Sequence, residues 1–299
     1  MPELPEVETM RRGVLPIVGS RIVAADCPPC ERRPILMRPS IRTIARQLQG
    51  RRIERVERLG KRVILCIEGE LSVVIEPRMT GLVLLADPPT REHLRFRLQL
   101  EPSGAAFDAP RELLFWDRRG LGTVRLFKGA ELEQQVRSKL GQDALLIDAE
   151  SLREKLNRSR RAIKVALLDQ SVVAGIGNLY AAELLFLAGI DPRSRCDQLT
   201  KAQWKRIVMA TRVVLEDAIA HEGSTLSDGT YRNALNQSGG YQNYHRVYDR
   251  ADEICPRCGE DSIRRIVQAQ RSTFFCGVCQ KKRGLHPDVA EIEVSTSLE

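Results

Sequence analysis

Long apolar runs are missing from the 299 residues. The longest, such as Val63–Ile67 and Leu82–Ala86, fall far short of the roughly 20 residues a membrane span needs, so no membrane partner is expected. The opening MPELPEVETM is acidic and carries no apolar core, which excludes a secretory signal and points to the cytoplasm. Histidine is scarce, with only His93, His221, His245 and His286, and no Ser–His–Asp set can be built from them. No H-E-x-x-H, no Walker loop and no internal repeat occurs, which removes zincin, P-loop and solenoid readings. The eight cysteines are too few for a secreted disulfide scaffold of this length, and four of them crowd into one C-terminal stretch.

Charge is present in excess and in blocks. Forty-seven Lys and Arg stand against thirty-nine Asp and Glu, a net charge of +8. Residues 31–65 hold eleven basic residues against three acids, residues 151–171 six against two, and residues 254–286 seven against two. One such block describes a solvated face. Three of them, spread over both halves, suit a surface that follows a phosphate backbone.

Val7, Met10, Val14 and Ile17 recur at helical spacing, so residues 5–18 are expected to form a helix that Pro2 and Pro5 introduce. Period-two runs then take over: Val63–Glu68, Leu71–Glu76, Leu82–Ala86, Leu94–Leu100, Glu112–Trp116 and Thr123–Phe127. Glycines and prolines punctuate them as turns, and residues 101–111 read as a long strand connection, so an antiparallel sandwich is expected. Helical spacing returns in Ala162–Leu168, Leu179–Leu187 and Ala202–Ala220. Residues 222–243 are rich in Gly, Ser and Asn and read as a mobile loop.

Cys255-Pro-Arg-Cys258 and Cys276-Gly-Val-Cys279 are separated by seventeen residues. That spacing suits one structural zinc ion held by four thiolates, with no coordination position left for catalysis. The alternative is a pair of disulfides. Ile263–Val267 and Thr273–Phe275 can pair as a hairpin that puts Arg271 at its tip, a natural phosphate contact. Cys27-Pro-Pro-Cys30 has no second pair nearby and reads as a surface loop. Gly175-Ile-Gly177 lacks a third glycine and a preceding strand, so it is no dinucleotide fingerprint; it makes a tight turn that opens a helix at Asn178.

Removal of Met1 would leave Pro2 as a secondary amine with a reference pKa near about 8, neutral often enough to attack an electrophilic carbon. Lys61 or nearby arginines can lower that value, and Glu3 can serve as general acid or base. Taken alone, Pro2 and Glu3 also fit an ordinary helix start.

Together these motifs resemble one family, the bacterial formamidopyrimidine-DNA glycosylases of the Fpg/Nei type. Met1-Pro2-Glu3-Leu4-Pro5-Glu6-Val7-Glu8-Thr9 is similar to the family's start. Gly175 to Glu183, with Ala188-Gly189-Ile190-Asp191-Pro192 behind it, is similar to its helix–two-turn–helix. Ala269-Gln270-Arg271-Ser-Thr273-Phe274-Phe275-Cys276 is similar to its zinc finger, and Leu4 favours the formamidopyrimidine branch over the endonuclease VIII branch.

The resemblance implies an α+β fold: an N-terminal helix plus antiparallel β-sandwich (1–130), a helical domain with helix–two-turn–helix and lesion-capping loop (131–250), a zinc-finger hairpin (251–281) and a polar tail (282–299). It implies a monomer acting at the nucleoid on duplex DNA that carries oxidised purines or abasic sites. A flipped nucleotide is attacked at its sugar by Pro2, the base leaves, and β- and δ-elimination cut the strand. Glu3 moves protons, Lys61 lies by the lesion phosphate, and Glu6 and Glu183 support the pocket. Asn178 and Arg271 grip phosphates, with His93 and Lys164 in the same DNA-contacting set. Met79, Arg119 and Leu121 fill the vacated stack.

Two positions depart from the family. Glu76 stands where the family has a phosphate-binding histidine, so that contact is lost or moved. Leu121 replaces an aromatic and stacks on no base. Rival readings are an oxidised-pyrimidine glycosylase or abasic-site lyase on the same scaffold, and a non-catalytic damaged-DNA binder.

Overall fold

Proline sets the first boundary. The helix predicted over 5–18 stops early: α1 spans Leu4–Gly13, and a 3₁₀ turn, Leu15–Ile17, follows. Pro16 has no N–H to return to the preceding turn, and it disfavours helical backbone at Leu15. The computed structural model describes residues 1–103, 109–227 and 229–282. The middle of the predicted connection 101–111, and the tail beyond Lys282, lie outside the described residues.

Two compact units are formed. The first comprises Met1–Lys139 and Asp217–Gln242. After α1 it contains β1 (Arg21–Asp26), β2 (Leu36–Arg38), α2 (Ile41–Leu48), β3 (Ile53–Leu59), β4 (Arg62–Ile67) and β5 (Leu71–Glu76). Next come β6 (Gly81–Leu84), β7 (Leu94–Glu101), β8 (Glu112–Asp117), β9 (Thr123–Lys128) and the short α3 (Glu131–Gln135). The strands make a four-stranded sheet, β1-β7-β8-β6, and a five-stranded sheet, β2-β9-β5-β4-β3. Pairing is antiparallel, except that the short β2 lies parallel to β9. Val63, Leu65, Val73 and Ile75 of one sheet share a core with Phe96, Leu98 and Phe115 of the other and with Val7 and Met10 of α1. This is the predicted sandwich, and Tyr231 and Ala234 from the 217–242 segment pack into the same core.

Strand β3 escaped the period-two pattern for a physical reason. Ile53 and Val56 are three residues apart, a helical interval, yet both are buried. An irregularity in the β3–β4 register between Ile53 and Arg55 brings them back to the same side.

The second unit holds Leu140–Glu216 and the chain from Asn243. In order it contains β10 (Gln142–Asp143), α4 (Ala149–Leu156), α5 (Ile163–Leu167), β11 (Val173–Ala174), α6 (Asn178–Ala188), α7 (Lys201–Ala220, which runs on into the first unit), β12 (Ile263–Gln268) and β13 (Arg271–Cys276). Helix α6 is apolar almost all round and correspondingly buried, and Gly189, in the left-handed region, ends it. The β12–β13 hairpin turns at Ala269 and Gln270, both with positive φ, as a tight two-residue turn requires. Ala182 and Phe186 of α6 pack with Ile263 and Phe274 of the hairpin, so the hairpin shares the helix's core. Among the described residues no helix is long and apolar enough to cross a membrane.

Candidate functional site

The first unit fixes its N-terminus from several directions. Pro2 is buried beneath an exposed Met1, and Glu3 is buried where α1 begins. The Glu6 carboxylate sits between two chain segments: Oε2 accepts the Glu3 N–H at 2.8 Å and Oε1 accepts the Ser224 N–H at 2.9 Å. Gly223 makes that second contact possible, because a Cβ there would lie 2.8 Å from Glu6 Oε1 and its φ is +77°. Glu8 faces Arg11, Arg12 and Arg58. Burial alone would raise its pKa, but hydrogen bonds from Arg11 and Arg12, together with charge, hold the carboxyl below its usual range. Lys61 occupies the two-residue turn Gly60-Lys61 between the paired residues Leu59 and Arg62.

The described residues of the predicted mobile loop 222–243 form no α-helix or strand, enter a 3₁₀ turn at Tyr241, and are tied by hydrogen bonds. Gly240 N–H bonds to His221 O at 2.8 Å and Tyr241 N–H to Gly223 O at 2.9 Å. Thr225 Oγ1 donates to Tyr231 O at 2.8 Å and accepts the Gly239 N–H at 2.9 Å. Asn233 Oδ1 accepts the N–H groups of Leu235 and Gln237.

Met79 is 37 % exposed, Arg119 is exposed and Leu121 is half-buried, each on a turn between strands. Glu76 takes a role of its own. Its Oε1 meets Arg62 Nη2 at 3.2 Å and Arg78 Nε at 3.1 Å, so it gathers guanidinium groups instead of facing a phosphate itself. His93 is half-buried immediately before β7. Its side chain is 12 % exposed, pairs with Glu92 at 3.0 Å and meets Trp116 edge-on.

Lys164, named with the DNA contacts, is turned to the interior. It is fully buried, and its Nζ donates to Asn178 Oδ1 at 2.7 Å, Thr273 Oγ1 at 2.6 Å and Ser272 O at 3.0 Å. Asn178 Nδ2 also donates to Ser272 O. The turn opening α6 and the hairpin start at Arg271 are therefore one hydrogen-bonded assembly, and Arg271 itself is exposed. Glu183, fully buried on α6, accepts the N–H groups of Arg246, Val247 and Tyr248. Burial raises its pKa against the opposing pull of those three donors.

The four cysteine sulfurs, Cys255, Cys258, Cys276 and Cys279, lie within 4.8 Å of one another. Cys255 Sγ is 3.8 Å from Cys279 Sγ, and Cys258 Sγ is 3.8 Å from Cys276 Sγ. A tetrahedral zinc with Zn–S of ~2.3 Å places its sulfurs about 3.8 Å apart, so the set fits one structural ion. The same separation excludes disulfides. Backbone donors at Asp261 and Glu260 lower the Cys258 thiol, whereas burial raises those of Cys276 and Cys279, so the full thiolate set calls for a bound cation.

Sequence reasoning missed Gly223 and Ser224 as partners of Glu6 and the inward role of Lys164. Ser224 contributes only a backbone N–H, which leaves no trace in residue type. Lys164 had a visible hint, since it sits among apolar residues of a helix.

Sequence models of three families match this chain: the formamidopyrimidine-DNA glycosylase N-terminal domain over residues 1–124, the formamidopyrimidine-DNA glycosylase H2TH domain over 140–230, and the zinc finger found in FPG and IleRS over 252–282. A formamidopyrimidine-DNA glycosylase of Chloroflexus aurantiacus is 40% identical, covering 94% of this chain and 98% of its own. The crystal structure of the MutM (Fpg) protein of Thermus thermophilus is similar with a TM-score of 0.80 at 35% identity, over 95% of this chain and 100% of that one. A Lactococcus lactis FPG mutant solved in complex with Fapy-dG-containing DNA gives a TM-score of 0.81 at 33% identity, over 94% and 100%.

Proposed function

The chain belongs to the formamidopyrimidine-DNA glycosylase family, and from that premise we propose that it is a bifunctional glycosylase and abasic-site lyase of base excision repair. Its substrates are formamidopyrimidines and 8-oxoguanine in duplex DNA. It acts as a monomer in the cytoplasm, at the nucleoid.

The carrying observation is the Glu6 carboxylate, which joins the Glu3 backbone to Ser224. The reactive end of the chain is thereby fixed to the loop that closes over a damaged base. Freed of Met1, the Pro2 amine attacks C1′ of the flipped nucleotide as the C1′–N bond breaks, and the base leaves with a proton. Glu3 supplies a proton to the ring oxygen, and the sugar opens to an iminium on Pro2. That iminium acidifies the neighbouring C2′ proton, and β- then δ-elimination release the two phosphates. Lys61 balances phosphate charge beside the lesion. Asn178 and Arg271, held by Lys164 on the hairpin assembly, grip backbone phosphates. Met79, Arg119 and Leu121 fill the space the base leaves. A structural zinc on Cys255, Cys258, Cys276 and Cys279 shapes the hairpin and takes no part in the reaction.

Borohydride trapping tests this reading on duplexes bearing a formamidopyrimidine, 8-oxoguanine, an oxidised pyrimidine or an abasic site. Adducts on the two purine lesions, abolished when Pro2 is blocked or replaced, are the expected result. Adducts on the abasic duplex alone would leave only a lyase, and adducts confined to the oxidised pyrimidine would reassign the lesion. No adduct on any duplex, from protein confirmed to begin at Pro2, would leave a binding protein.

A further inference from the structure

Met79 sits on the turn from β5 to β6, and Arg119 and Leu121 on the turn from β8 to β9. These turns are remote in sequence, and one side chain joins them. Asp117, the last residue of β8, is fully buried. Its Oδ1 accepts the hydroxyl of Thr80, the neighbour of Met79, and the N–H of Arg119 at 3.2 Å. Its Oδ2 accepts the Gly122 N–H at 2.7 Å. Thr80 Oγ1 in turn accepts the Arg119 N–H at 3.0 Å. The Asp117 carbonyl takes the Nε–H of Arg95, itself buried, at 2.8 Å.

A buried carboxylate is costly unless donors fill its oxygens. Here the donors come from both turns, so neither turn can shift without stripping the carboxylate. Space is equally constrained: a Cβ at Gly122 would lie 2.5 Å from the Phe115 ring. Gly81 and Asp117 are register partners, which puts the joint where both turns leave the sheet.

We propose that Asp117, with Thr80, is the positioning residue that makes the two turns one rigid wedge, and that it serves base extrusion, not strand chemistry. This rests on the reading above that Met79, Arg119 and Leu121 enter the stack. A wedge matters only where a base must leave a duplex. At an abasic site in single-stranded DNA there is neither a base to extrude nor a partner strand to hold apart.

Three readouts on the full-length protein separate the possibilities for Asp117→Asn, Thr80→Val and the conservative Thr80→Ser. They are single-turnover excision of a formamidopyrimidine from duplex DNA, cleavage of a single-stranded abasic oligonucleotide, and unstacking reported by 2-aminopurine beside the lesion. Asp117→Asn and Thr80→Val are expected to slow duplex excision at least about tenfold and to blunt the 2-aminopurine rise. Single-strand cleavage should stay within about twofold, and Thr80→Ser should restore excision. An equal loss on both substrates from folded Thr80→Val would reduce the clamp to a structural feature and overturn the proposal. Unchanged duplex excision in Asp117→Asn would overturn it too. Should the unaltered protein excise nothing from duplex DNA while cleaving the abasic strand, the glycosylase reading falls, and a clamp for base extrusion falls with it.

Discussion

His245 shows how far a single buried side chain can bind stability to pH. Its ring is buried and meets Tyr248 edge-on at 5.8 Å. Burial first, and then the Arg250 charge, push its pKa down to about 4 from an ordinary 6.5. The unfolded chain therefore takes up a proton between those values while the folded chain refuses it, so stability falls as pH drops from 6.5 towards 4 and is unaffected above. The full loss is roughly 3 kcal/mol. Urea melts at pH 7 and pH 4.5 should show this slope and should lose most of it in His245→Phe; equal slopes would remove His245 as the cause. Glu183 and Lys164 make the complementary point. Each is a fully buried charged residue whose oxygens or ammonium are spent on internal partners, so their chemistry is positional.

Under the proposed function, the zinc-finger hairpin is the element on which the second unit's phosphate contacts depend. Cys255 and Cys276 belong to the same apolar cluster as Ala182 and Phe186 of α6, so the metal shell and the hairpin core are continuous. Lys164 and Asn178 are tied to Ser272 and Thr273 at the start of β13. Stripping the zinc should therefore loosen Arg271 and Asn178 together, and affinity for lesion DNA should fall by at least about tenfold. Anisotropy titrations before and after full chelation measure this, and unchanged affinity in the metal-free protein would refute it. Pro16 illustrates the same scale more simply: one missing N–H separates a helix from a 3₁₀ turn.

For the whole molecule the governing quantity is charge. A net +8, gathered into three basic segments, predicts a steep fall of DNA affinity with salt as phosphate counterions are released. Arg271→Ala should flatten the plot of log affinity against log salt by about 1 and weaken lesion and undamaged DNA to similar extents. A variant that lost affinity only for lesion DNA, with the slope intact, would show Arg271 reading the lesion and not the backbone.

Chemistry carried by neighbouring residues was legible without coordinates. The cysteine pairs, the Gly175–Asn178 turn and most sandwich strands each declare themselves within a few positions, because spacing along the chain is enough to define a ligand set, a turn or a pleat. What the chain order could not disclose were pairings between distant segments: Glu6 with Ser224, Asp117 with Thr80, and Lys164 with Thr273. Lys164, part of a basic run in the sequence, turned out to face inward. Whether a charged side chain meets solvent or a buried partner depends on strand register and on which faces pack, and these are set by the three-dimensional burial of apolar residues far apart in the chain.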